Sequence, residues 1–147
     1  MNLIIGYGNP LRSDDRIGHY LTEILSQNCQ SITVFQLTLD LAEPISNAER
    51  VIFIDARVGD HPGQIIQEYI TPLKGDAALT HTATPESLLR AADTWYGKVP
   101  MTLLITVTGA SFDYGENFSQ EIRHSLPCIT DHLSQRVKAF FEEDLPR

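Results

Sequence analysis

Apolar positions along the chain fall into short continuous runs separated by segments of helical spacing. Residues 2–6, "NLIIG", predict a buried first strand ending at a glycine turn. Beyond "SDD", the segment 17–28 sets Ile17, Tyr20, Leu21, Ile24 and Leu25 on one helical face, with Ser13 as N-cap. A second strand is expected over 32–37, "ITVFQL", followed by "AEPISNAE" as a short helix or irregular crossover. "VIFIDA", 51–56, is the strongest strand signal: its apolar residues do not alternate, as expected of a strand covered on both faces, and an aspartate closes it. "QIIQEYI", 64–70, is entered through "GDHPG" and predicts an antiparallel edge.

Thr84, Pro85 and Glu86 make a well-formed helix start, and Leu88, Leu89, Ala92 and Trp95 follow as its apolar stripe. "MTLLITVTG", 101–109, predicts another buried strand. The remainder, from Asn117 to about Glu143, is an amphipathic helix broken or bent at Pro127. Strands alternating with helices predict an α/β layer structure with a mainly parallel sheet. No internal repeat, linker or low-complexity tract interrupts it.

Composition narrows the function classes. A chain of 147 residues makes one domain, long enough to bury roughly 70% of its unfolded surface. With 42% hydrophobic and 20% charged residues, it is neither disordered nor membrane-spanning in character. The apolar "LII" near the start is too short for a signal peptide and follows no basic region, so a cytoplasmic location is expected. Cys29 and Cys128 lack CxxC spacing and read as small buried hydrophobes. A formal charge of -8 argues against general nucleic-acid or anionic-membrane binding, because phosphate-rich surfaces repel it.

The first turn, "GYGNPLRSDD", has the outline of a phosphate site but the wrong charge. A dinucleotide fingerprint needs a third glycine where Leu11 stands, and there is no P-loop GK[ST]. Asp14 and Asp15 would meet an anionic ligand with like charge, at about 1 kcal/mol in water and more in a partly dry cleft. They could simply complement a helix dipole, each contributing about 0.3–1 kcal/mol. The turn, however, follows the first strand at the carboxyl end of the sheet, where open α/β folds place ligands. One carboxylate can cap while the other points into that crevice.

Asp55, closing "VIFIDA", is expected beside this turn, although an aspartate at a strand end commonly caps the next loop. His81, in the loop before the Pro85 helix, is expected at the same end, although a loop histidine is by default a surface residue. Two carboxylates and an imidazole form a plausible partial shell for a borderline divalent ion such as zinc or nickel. His61, in a Pro/Gly loop, and His19, His124 and His132, on predicted helices, compete for the imidazole role. No serine nucleophile elbow, HExxH or cysteine-protease signature is present.

Gly6-Tyr7-Gly8-Asn9-Pro10-Leu11-Arg12-Ser13-Asp14-Asp15-Arg16-Ile17-Gly18 resembles the opening motif of the maturation endopeptidases of [NiFe]-hydrogenase large subunits. It departs at Arg16, where that family usually has glycine. The likeness extends through "VIFIDA", "HTATPESLL" and "SFDYGENFS", over almost the full chain. "GYGNPLRSDD", "QLTLDLAE" and "FDYGENFS" look most like the subgroup serving bidirectional, NAD(P)-linked hydrogenases. The resemblance implies one hydrogenase maturation protease-like domain over 1–147, with a three-layer αβα sandwich around a twisted, mostly parallel five-stranded sheet. It also implies an endopeptidase that removes the C-terminal extension of the nickel-loaded large-subunit precursor. Asp15, Asp55 and His81 would then be the catalytic, nickel-contacting groups. The ion would arrive with the substrate, and no organic cofactor is expected. Alternatives are a metallohydrolase with a resident divalent ion, a non-catalytic nickel-site docking or chaperone module, and, more distantly, a nucleotide-binding domain.

Overall fold

The computed structural model describes residues 1–74 and 83–144. The strands are β1 (Asn2–Tyr7), β2 (Gln30–Val34), β3 (Arg50–Val58), β4 (Ile65–Ile70) and β5 (Met101–Gly109); the helices are α1 (Ile17–Leu25), α2 (Ala42–Ser46), α3 (Pro85–Tyr96) and α4 (Gln120–Glu142). The five strands form one sheet in the order β2-β1-β3-β5-β4. β1, β2, β3 and β5 run parallel, and β4 joins the outer side of β5 antiparallel, as the Pro/Gly entry to "QIIQEYI" predicts.

Strand alternation divides the apolar side chains into two cores. Ile4, Ile52, Ile54, Leu103 and Ile105 meet Ile17 and Leu21 of α1 and Ile129, Leu133 and Phe140 of α4. On the opposite face Leu3, Ile5, Val51 and Phe53 meet Ile45 of α2 and Leu88, Leu89 and Ala92 of α3. Val51 to Ile54 are wholly buried, so β3 is covered on both faces, as its unbroken apolar run predicts. The result is an αβα sandwich, with the carboxyl ends of β1 and β3 side by side.

Several local expectations change. Ser13 does not cap α1: it opens a 3-10 turn over Ser13–Arg16 with φ 50°, and its hydroxyl donates to the carbonyl of Asp113. β3 does not stop at Asp55 but continues to Val58. α4 is one helix through Pro127, starting at Ser119, whose hydroxyl accepts from the Ile122 amide. Pro127 is exposed, so the carbonyl one turn back faces water instead of a lost partner in the core. Trp95 is 49% exposed in the last turn of α3, outside the buried stripe, and Cys128 is exposed while Cys29 is half-buried.

α1 presses against the sheet through two glycines. A Cβ on Gly6 would come 2.3 Å from the Gly18 carbonyl oxygen, and one on Gly18 would come 2.6 Å and 2.7 Å from the carbonyl oxygens of Ile54 and Tyr7. These neighbours are backbone and cannot rotate away. Gly18→Ala is therefore expected to push α1 off the sheet and cost about 1–3 kcal/mol or more, read as a lowered urea midpoint.

Candidate active site

The turn from Gly8 to Asp15 is built to fold back on itself. Gly8 has φ +138°, a conformation side-chain-bearing residues avoid, and a Cβ there would lie 2.3 Å from the Asp15 carbonyl oxygen. The Asn9 amide donates to Oδ2 of Asp15 at 2.7 Å, and the Asn9 side-chain oxygen accepts from the Leu11 amide at 2.9 Å. His19 Nε2 lies 2.9 Å from the Gly8 oxygen and 3.0 Å from the Val34 oxygen. Both partners are carbonyls that can only accept, so Nε2 carries the proton and ties the turn to the end of β2. His19 is thereby a structural clamp.

The adjacent aspartates have separate tasks. Asp14 is completely buried. Its Oδ2 accepts from the amides of Ala110 and Ser111 and from the Ser119 hydroxyl, at 2.7, 2.9 and 2.7 Å, and its Oδ1 accepts from the Ser119 amide at 2.8 Å. It therefore holds the loop between β5 and α4 against the first turn. Further clasps run from the Ser13 amide to the Gly115 oxygen and from the Gly115 amide to the Leu11 oxygen. Asp15 remains for the crevice.

Asp55 lies within range of the Asp15 charge there. Gly6 pairs with Ile54, so the next residues, Tyr7 and Asp55, leave the two central strands side by side on the α2–α3 face. The Tyr7 hydroxyl donates to the Asp55 carboxylate, and the Tyr7 ring packs edge-on against Phe53 at 6.4 Å between centroids. The Ala56 amide donates to Asp55 Oδ1 at 2.8 Å. Burial pushes the Asp55 carboxyl up to about 7; the charge of Asp15 adds to the rise, while the bonds from Ala56 and Tyr7 oppose it. Burial also raises the Tyr7 phenol, helped by the charges of Asp55 and then of Glu86 in the first turn of α3. The amino end of α3 thus faces the same edge.

Of the three residues expected to act together, Asp15 lies near enough to Asp55 for its charge to raise the Asp55 carboxyl; His81 lies outside the described residues. No cluster of three or more His, Cys, Asp or Glu side chains suited to a metal occurs among the described residues. The competing His132 bonds the side chain of Gln67 at 3.3 Å, between α4 and β4, and His124 lies on α4. Tyr7 carries no site signal in the sequence; the parallel register of β1 and β3, Gly6 opposite Ile54, is what places it beside Asp55. Arg16, the departure from the family motif, donates to the Glu116 carbonyl and lies over the Phe118 ring at 4.9 Å, so it faces the β5–α4 loop.

This architecture is shared with known structures. It is similar to the hydrogenase maturating endopeptidase HybD from E. coli, with 18% identity, TM-score 0.71 and coverage of 93% of this chain and 91% of that one. The [NiFe] hydrogenase maturation protease HybD from Thermococcus kodakarensis matches at 19% identity and TM-score 0.69, over 92% of this chain and 97% of that one. HycI from Thermococcus kodakarensis KOD1 matches at 21% identity and TM-score 0.67, over 93% and 92%. The fold is the one seen in hydrogenase maturation endopeptidases. It agrees with the resemblance carried by the opening motif, including the five-stranded sandwich. No family model and no curated protein matches the chain. No helix among the described residues is long and apolar enough to cross a membrane.

Two measurements separate the aspartates. Asp14→Ala leaves four donors without their acceptor and is expected to cost about 3 kcal/mol or more, whereas Asp15→Ala loses one amide contact and should cost about 1 kcal/mol, read from equilibrium urea unfolding. For Asp55 the folded carboxyl titrates at about 7 and the unfolded one near 4. Between those values the folded state holds a proton that the unfolded state has released, so stability falls as pH rises through this window. Asp55→Asn should remove the fall. The variant is expected to exceed the parent by about 1–3 kcal/mol at pH 8, allowing for partial solvent screening, and to gain nothing at pH 4.

Proposed function

We propose that this chain, acting as one domain over residues 1–147, is an endopeptidase that removes the C-terminal extension of a nickel-loaded [NiFe]-hydrogenase large-subunit precursor. What supports the reading is that Asp15 lies near enough to Asp55, at the carboxyl edge of a sheet with the fold of such endopeptidases, for its charge to raise the Asp55 carboxyl. Two carboxylates in a partly dry cleft repel one another, and a cation relieves that repulsion. His81 stands three residues before the N-cap Thr84 in sequence, and the first turn of α3 faces Tyr7, which supports its inclusion in the set.

In this reading the precursor's nickel is substrate. It engages Asp15, Asp55 and His81, and this engagement holds the scissile amide in the cleft. Hydrolysis adds water oxygen to the amide carbon, breaks the C–N bond and delivers a proton to the departing nitrogen. The ion can polarise the carbonyl or acidify a bound water. A carboxylate of the site accepts the water's proton. Cation binding displaces the proton from Asp55, so capture of loaded precursor strengthens as pH rises toward 7. The protein and its precursor would meet in the cytoplasm.

The test incubates purified protein with nickel-loaded and nickel-free large subunit and follows the precursor by intact mass. The expected result is loss of the C-terminal mass from loaded precursor alone, abolished in folded Asp15→Ala, Asp55→Ala and His81→Ala variants. The motif likeness makes a bidirectional, NAD(P)-linked hydrogenase the first precursor to try. Processing by all three variants would refute the site. Stoichiometric metal in protein purified alone would favour a resident-metal hydrolase, and capture without cleavage would favour a docking module.

A further inference from the structure

The row of side chains that β1 turns toward α2 and α3 runs Leu3, Ile5, Tyr7, and the matching row of β3 runs Val51, Phe53, Asp55. Each row begins in the apolar core and ends at the carboxyl edge in a polar group, a phenol on one strand and a carboxylate on its neighbour. A phenylalanine at position 7 would set the same ring against Phe53. What tyrosine adds is the hydroxyl, and that hydroxyl is given to Asp55.

Asp55 needs this second donor to hold its plane. The χ2 torsion of an aspartate is broad, and the Ala56 amide, 2.8 Å from Oδ1, is a single bond from the adjoining residue. The Tyr7 hydroxyl adds a donor from another strand, so the carboxylate is gripped across the sheet. A carboxylate offers about four acceptor positions; two are engaged here and the others stay open. Asp15 has no comparable hold, because among the described residues its carboxylate accepts from the Asn9 amide alone. The kind of donor matters as well. A phenol orients Asp55 without bringing positive charge, whereas a lysine or arginine in its place would repel a cation arriving at the same oxygens.

We propose that Tyr7 is a positioning residue of the cleavage reaction, its hydroxyl fixing the Asp55 carboxylate in the orientation that receives the precursor's nickel. The role rests on the endopeptidase reading above, while the grip on Asp55 is measured without cleavage. Tyr7 touches neither the ion nor the scissile amide in this role; it acts through Asp55. Hydrogen bonds of this kind to a metal-binding side chain set affinity or activity by about 10–100-fold.

The experiment compares the full-length parent with Tyr7→Phe, which removes the hydroxyl and keeps the ring against Phe53. Three-bond NMR couplings across the Cα–Cβ bond of Asp55, taken in mildly alkaline buffer where the carboxylate is charged, should report one rotamer in the parent and an average of rotamers in Tyr7→Phe. The urea midpoint should stay close to the parent's, because the packing is retained. In cleavage of loaded precursor, kcat/KM of Tyr7→Phe should fall about 10–100-fold, chiefly through a raised KM, since the nickel contact that Asp55 supplies is a binding contact. Tyr69→Phe, which removes a hydroxyl bonded to Glu143 between β4 and α4, should behave as the parent in both measurements. An Asp55 rotamer unchanged in Tyr7→Phe, or kcat/KM equal to the parent's, overturns the positioning role. Loss of the single rotamer in Tyr7→Phe, with no cleavage by the parent, leaves the grip on Asp55 standing and removes the endopeptidase reading.

Discussion

A buried carboxylate organises the carboxyl edge of this sheet. Asp14 has no access to water, and an ion in that position would cost several kcal/mol if its lone pairs were empty. Four donors, all from residues 110, 111 and 119, fill them. The bonds span about two-thirds of the chain and fix where α4 begins, because Ser119 is both a donor to Asp14 and the cap of that helix. With the turn fastened on that side, the next residue has no choice of direction. Asp15 is left toward the crevice, restrained by the Asn9 amide.

The two faces of the sheet consequently do different work. Asp14, Ser119 and the start of α4 form a rigid buckle beside the core shared by α1 and α4. Tyr7, Asp55 and the first turn of α3 stand at the end of the other core. The tight contact between Gly6 and Gly18 couples these halves, since it seats α1 directly on β1 and β3. Displacing α1 would carry the turn, and with it Asp15, away from Asp55. Packing at a point without polar chemistry thereby sets the spacing on which the electrostatics of Asp55 depend.

Most of the framework was legible in the sequence because it is written in local patterns. The unbroken apolar run of β3, the Thr84–Pro85 start of α3 and the Pro/Gly entry to β4 each act over a few residues. The failures share a different cause. Ser13 looks like a helix cap, but its hydroxyl is taken by Asp113, a hundred residues away. Asp14 and Asp15 are indistinguishable side by side in sequence, and only the loop 110–119 tells them apart. Asp55 was expected at the crevice on topology alone, yet its raised pKa depends on how much of it the fold covers. His81 lies outside the described residues.

Arg16 shows how a departure from a family motif is absorbed. A glycine at that position could serve close approach of backbone, but the close approach in this chain occurs at Gly18, two residues later. The Arg16 side chain is carried outward over Phe118 and bonds the Glu116 carbonyl, which adds a cationic clasp to the same β5–α4 loop that Asp14 holds from below. The substitution therefore strengthens the buckle and leaves the crevice face of Asp15 and Asp55 untouched. An arginine there would interfere with a visiting cation only if its guanidinium turned toward the carboxylates, and the loop it grips holds it away.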